Sequence, residues 1–137
     1  MSDVYKCQVE VRWGDSDMLG HVNNTKFIEY AQEARVRFIA ENFGQGMSGD
    51  SAVVVRHLEA DFDRPLFTTS GPLTIELEVL KVGTRSFTIG HTMYDNAGNR
   101  AGSVVAVLVA FSMSANTSRV LSDEEREVLR AYAVTEE

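Results

Sequence analysis

The chain has 137 residues, 44% of them hydrophobic, one cysteine and a formal net charge of −7. That length supports one domain with a real core and not two. The acidic balance argues against a nucleic-acid partner, which clustered Lys and Arg would have to hold, and a lone Cys7 permits neither an intrachain disulfide nor a paired thiolate metal site.

The opening MSDVYKCQVEV lacks a basic region ahead of an apolar run, so no leader or membrane anchor is expected and a cytoplasmic location follows. It reads instead as a strand, with Cys7, Val9, Val11 and Trp13 alternating against Lys6, Gln8, Glu10 and Arg12. The alternation breaks at Gly14 into a polar turn: Asp15, Ser16, Asp17, Gly20, His21, Asn23 and Asn24. Helical spacing of Phe27, Tyr30, Ala31, Ala34 and Phe38 then predicts one long amphipathic helix from Asn24 to about Asn42, capped by Asn23 or Asn24 and closed by Gly44. Glu33 and Arg37 form an i,i+4 pair on its exposed side.

A Gly-rich link (Gly44, Gly46, Gly49) leads into a strand from Val53 to Phe62, with Val54, Arg56, Leu58, Ala60 and Phe62 expected on one face. Leu73 to Leu80 is the next strand, presenting Leu73, Ile75, Leu77 and Val79, and Gly83 turns into another from Ser86 to Tyr94. After the turn at Asp95 to Gly98, the run Gly102 to Met113 is apolar at nearly every position, as in a strand covered on both faces. Ser122 and Glu125 form a capping box that starts a short helix to about Tyr132, followed by a frayed Glu136-Glu137 end. One strand, a long helix and four strands predict an α+β domain in which an antiparallel sheet wraps one helix. The doubly covered last strand suggests a second subunit.

The polar turn carries the chemistry. Asp15 to Gly20 begins like a calcium loop, but Leu19 and Lys26 stand where an oxygen ligand and a bidentate glutamate are needed. Asp17, His21 and a remote histidine lack zinc-ligand spacing, so no metal and no cofactor is expected. A carboxylate beside a helix start is the better pattern. The first helical amides are unpaired and carry partial positive charge, able to polarise a carbonyl while a nearby carboxylate attacks it or activates water, and Gly20 leaves the approach open. The same residues also serve as ordinary turn and cap formers, and His21 as a packing or capping residue.

The stretch WGDSDMLGHVNNTKFIEYAQEAR resembles the signature of hotdog-fold thioesterases of the 4-hydroxybenzoyl-CoA thioesterase family. The resemblance implies a hotdog fold, a five-stranded antiparallel sheet around one long central helix, over nearly the whole chain. It implies an acyl-CoA substrate, with Asp17 as nucleophile or general base, the Asn24 amide polarising the thioester oxygen with Asn23 close by, and His21 as an assistant; Asp15 would form the turn. His21 matches a Gly-His-Val-Asn-Asn variant, whereas the 4-hydroxybenzoyl-CoA enzymes carry an aliphatic residue there, so an aromatic acyl group is not implied. Gly20, Asn23 and Tyr30 complete the substrate-binding set, Tyr30 and Phe27 being read as core or pocket wall. Arg85 stands for the phosphate-binding group among Arg56, Arg64, Lys81, Arg85, Arg100 and Arg119. A homodimer joined edge to edge, or a tetramer of such dimers, is implied as well. Two other readings stay open: a hydratase or dehydratase acting on an enoyl thioester, and a non-catalytic acyl-CoA-binding module.

Overall fold

The structure is a computed structural model that describes residues 3–43 and 51–134. Its elements run β1 (Tyr5–Val9), α1 (Asn24–Asn42), β2 (Ser51–Phe62), β3 (Leu73–Val82), β4 (Ser86–Tyr94), β5 (Arg100–Ser112), β6 (Thr117–Ser118) and α2 (Asp123–Ala131). All strand pairs are antiparallel, in the order β1-β3-β4-β5-β2, with the two-residue β6 added beside β5. The sheet curls around α1, the hotdog arrangement that the spacing and the resemblance predict.

Helix α1 begins at Asn24 because Asn23 is its cap, its Oδ1 accepting the Thr25 N–H at 2.9 Å. The stripe Phe27, Tyr30, Ala31, Ala34 and Phe38 is buried against the sheet, and Glu33 pairs with Arg37 at 2.8 Å. Gly44, the Gly-rich link and Glu136-Glu137 lie outside the described residues; within them, the Phe43 N–H closes the helix on the Ile39 carbonyl. From the sheet, Leu73, Ile75, Leu77 and Val79 of β3 and Phe87, Ile89 and Met93 of β4 complete one core. Ser122 and Glu125 exchange the two hydrogen bonds of a capping box at the start of α2, and Arg119 adds a 2.9 Å ion pair to Glu125. The Val79 N–H donates to the Tyr132 carbonyl and the Val134 N–H to the Val79 carbonyl, fastening the end of α2 to β3.

Two expectations change, and a third concerns a face that the single chain leaves open. Strand β1 ends at Val9, and Trp13 lies in a 3-10 turn with 88% exposure instead of on a buried strand face. A bulge between Val55 and His57 shifts the register of β2, so Val53 and Val55, and not Val54 and Arg56, share the inner face with Leu58, Ala60 and Phe62. Strand β5 buries Val104, Ala106, Leu108 and Ala110 fully, while Val105, Val107 and Val109 on its outer face are half-buried in the single chain.

Candidate active site

The segment between β1 and α1 is a compact double turn. Arg12 and Asp15 close the 3-10 turn Trp13–Asp15: the Asp15 N–H donates to the Arg12 carbonyl at 2.9 Å, and the Arg12 N–H to Asp15 Oδ2 at 3.2 Å. The chain then reverses in a narrow hairpin, with Ser16 bridged to Val22 and the Asp17 N–H donating to the His21 carbonyl at 2.7 Å. Gly20 sits at its tip with φ +83°, a left-handed conformation that glycine adopts at little cost. The hairpin is tied to the body of the protein by the Val22 N–H on the Leu66 carbonyl (2.7 Å) and the Asn23 N–H on the Asp15 carbonyl (3.0 Å).

The two aspartates have different environments. Asp15 is 7% exposed, and its Oδ2 accepts a 2.6 Å bond from the Tyr30 hydroxyl, with Lys26 and Arg12 within 4 Å of its carboxylate. Burial and this bond to an anion raise the Tyr30 phenol well above its ordinary pKa. Asp15 is thus a turn-former, as expected, and also a buried anchor. Asp17 is exposed, and its Oδ1 accepts the N–H groups of Leu19 (2.9 Å) and His21 (3.2 Å), leaving Oδ2 without a partner among the described residues. It borders an open cleft of about 680 Å³ lined by Trp13, Ser16, Met18, Gly20 and Thr68. Met18 and Leu19 stand out from the hairpin at 100% and 79% exposure.

His21 packs edge-to-face on Phe67, ring centroids 5.0 Å apart, and its ring nitrogens have no hydrogen bond among the described residues. The Asn24 N–H, at the first helical position, likewise has no acceptor among them. The side chain of Asn23 is committed to Thr25, accepting from both its N–H and its hydroxyl. Asp17, Gly20, His21, Asn23 and Asn24 therefore come together in one hairpin and helix start. Tyr30, expected to line the substrate pocket, is fully buried, its hydroxyl turned to Asp15 behind the hairpin. Arg85 does not join the group: it lies before β4, bonded to Ser118, near the end of the β4/β5 pair opposite Gly102. Phe27 and the Leu66–Phe67 segment mark the Gly102 end as that of the hairpin. Among the other cations, Arg100 is paired with Asp63 and Arg119 with Glu125, each at 2.9 Å.

Sequence reasoning missed a buried polar pair, Arg35 on α1 and His91 on β4, with Arg35 Nη1 3.3 Å from His91 Nε2. The signal was in the alternation Phe87, Ile89, His91, Met93, which carries His91 onto the buried face of its strand. No group of three metal-ligating side chains occurs among the described residues, and no helix among them is long and apolar enough to cross a membrane.

The sheet curled on a central helix is shared with known proteins. A family model, the thioesterase-like superfamily, matches residues 11–131, and the chain belongs to that superfamily. Thioester hydrolysis is the chemistry this membership supports. A thioesterase from Thermus thermophilus, solved with coenzyme A and zinc, is 29% identical, with 93% of this chain and 92% of that one covered at a TM-score of 0.78. A thioesterase superfamily structure from Jannaschia sp. CCS1 shares the fold at a TM-score of 0.89 with 19% identity, over 96% of this chain and 94% of that one. Among curated sequences, the uncharacterized protein YsmA of Bacillus subtilis strain 168 is 25% identical over 122 residues, 89% of this chain and 82% of that protein.

Proposed function

We propose that the protein is an acyl-CoA thioesterase in which Asp17 supplies the reactive carboxylate and the Asn24 amide polarises the thioester carbonyl. The observation that carries this reading is the division of labour within the Asp17 carboxylate: two backbone amides hold Oδ1 in place while Oδ2 is left to act. In the general-base form, Oδ2 takes a proton from water as its oxygen bonds to the carbonyl carbon. The resulting oxyanion is held at the Asn24 N–H; collapse breaks the C–S bond, and the proton returns to the departing sulfur, leaving free acid and coenzyme A. In the nucleophilic form, Oδ2 bonds to that carbon itself, expels the thiolate as a mixed anhydride, and water then hydrolyses the anhydride. Single-turnover hydrolysis in ¹⁸O-water detects the nucleophilic form when water attacks the Asp17 carbonyl: ¹⁸O then enters Asp17, and the acid product carries protein-derived oxygen. His21, in the same hairpin, would assist by a hydrogen bond to that water.

The coenzyme A bound to the Thermus thermophilus relative supports the choice of acyl carrier. Arg85 binds its phosphates only where it reaches a neighbouring subunit's hairpin, and a second copy is also what the cleft calls for. The outer edge of β2 has no paired strand among the described residues, and Val54 is exposed on its outer face. A homodimer built on that edge, or a tetramer of such dimers, closes the site from water; light scattering of a fully active monomer at assay concentration overturns this arrangement.

The test of the function is Asp17→Asn. The amide oxygen still accepts from Leu19 and His21, so the fold stays, while thiol release from an acyl-CoA panel falls by about 10² to 10⁴. Undiminished release removes Asp17 from the mechanism, and acyl-CoA binding without release by the native protein reduces it to a binding module.

A further inference from the structure

The interior holds a positive charge that no described residue balances. Arg35 lies on the flank of α1 shared with Ile28 and Ile39, with 6% exposure, and among the described residues its only side-chain partner is His91. His91 is 1% exposed, and its Nδ1 lies 2.9 Å from the Val104 carbonyl. A carbonyl only accepts, so this network assigns the proton to Nδ1 and leaves the Nε2 lone pair facing the guanidinium. His91 is thus a neutral orienter and not a counter-ion. A guanidinium keeps its charge in proteins, and a buried one without an anion is costly to maintain.

The remaining donors of Arg35 are not walled in. Among the described residues, Ser16 Oγ is the side-chain polar atom that is both sealed and unpartnered, so Nε and Nη2 of Arg35 border accessible space. Arg37, on the opposite flank of α1, meets β1 at the Gln8 carbonyl, so the Arg35 flank is turned toward β2 at the other edge of the sheet, where the chain leaves an apolar trough. Phe62, Ala60 and Leu58 stand opposite Gly102, Val104 and Ala106, and directly opposed antiparallel residues share a face, so all three point toward the helix. Phe62 and Leu58 nevertheless keep 47% and 38% exposure. Phe27, packed on Phe62 at 5.1 Å, marks the end nearer the hairpin. Asn24 and Arg35 are about 16 Å apart along the helix axis, and helical side chains lean toward the N terminus, so the guanidinium lies nearer the reactive end than its own backbone.

Resting on the acyl-CoA thioesterase reading, we propose that Arg35, oriented by His91, binds the terminal carboxylate of an acyl chain lying in this trough, making ω-carboxyacyl thioesters the preferred substrates. The planar fork of the guanidinium matches a carboxylate in two parallel bonds, and the apolar path between the two ends suits methylenes.

The experiment compares ω-carboxyacyl-CoA with methyl-terminated acyl-CoA of equal length, from about six to about twelve carbons to bracket the trough, on the native protein and on Arg35→Met. The native protein is expected to favour the carboxylate form by at least about tenfold in kcat/KM at one length, and R35M to reduce that ratio at least about tenfold, chiefly through KM. A native protein that treats the two alike or prefers the methyl form at every length overturns the proposal, as does a ratio unchanged in R35M. If R35M fails to fold, the native ratio decides. If neither thioester is cleaved, the hydrolase reading fails by itself, and calorimetric binding of the same pair to the native protein decides: tighter binding of the carboxylate form upholds the role of Arg35, and equal or weaker binding overturns it.

Discussion

The hydroxyl of Tyr30 donates a 2.6 Å hydrogen bond to Oδ2 of Asp15, joining the second turn of α1 to the segment that carries Asp17. Because the Asp15 carbonyl also receives the Asn23 N–H, one buried carboxylate residue fixes both the hairpin and the helix start relative to each other. Any catalysis that needs Asp17 and the Asn24 amide at a set separation depends on this brace.

Tyr30→Phe keeps the ring and removes the donor. It leaves a buried carboxylate short of one bond, a loss of about 2 kcal/mol in stability. Thermal unfolding should register that loss, and steady-state kinetics should show the effect in kcat more than in KM, since the hairpin loosens while the cleft stays. A variant with native stability and native kcat would show that the brace is redundant with Arg12 and Lys26.

Gly20 and Gly14 form an internal control. A Cβ meets nothing within 4 Å at either position, yet only Gly20 has a positive φ, +83°. Gly20→Ala is therefore expected to lose about 1 kcal/mol and to depress thioester turnover, whereas Gly14→Ala leaves stability nearly unchanged. Equal melting temperatures for the two variants would show that the hairpin tip relaxes out of its left-handed conformation.

His91 gives a pH signature. Burial, reinforced by the Arg35 charge and opposed by the bond to the Val104 carbonyl, lowers its imidazole pKa to about 4. An unfolded histidine titrates near 6.5, so between about 6.5 and about 4 the unfolded chain takes up a proton that the folded protein refuses. Stability contributed by this group is full above that window and is lost on acidification through it. His91→Gln keeps polar atoms in place without titrating, and urea unfolding across this range should show a shallower decline than in the native protein. Parallel curves would mean that His91 gains water and a proton while folded.

His21→Phe preserves an edge-to-face contact with Phe67 and deletes both ring nitrogens. With His21 as assistant to the attacking water, kcat falls by at least about tenfold at neutral pH while the melting temperature holds. Unchanged turnover assigns the ring to packing alone.

Much of this architecture is legible from local signals. Asn23 followed by a clean helical stripe marks the start of α1, and alternation between two turns delimits β4, because caps and periodicity are properties of short segments. The sites that escaped depend on residues far apart in the chain. Asp15 and Asp17 are the same residue type two positions apart; the resemblance separates turn-former from reactive acid, but only burial beside Tyr30 makes Asp15 an anchor. Arg35 borders the buried stripe of α1 with the usual look of a surface helix cation, and His91 comes under it only when β4 crosses the helix. Trp13 fits the alternation of β1, yet the 3-10 turn that begins with it carries it out of the strand. Tyr30 reads equally well as pocket wall or core until the direction of its hydroxyl is known.

The bulge at Arg56 behaves as a phase corrector. Were Arg56 paired in a regular ladder, the composition of β2 would be unchanged, yet Val54 and Arg56 would turn to the helix side and Val53 and Val55 outward. Pairing at this one position is thus a determinant of the trough's wall, and a relative with the same side chains but a regular strand there would line it differently.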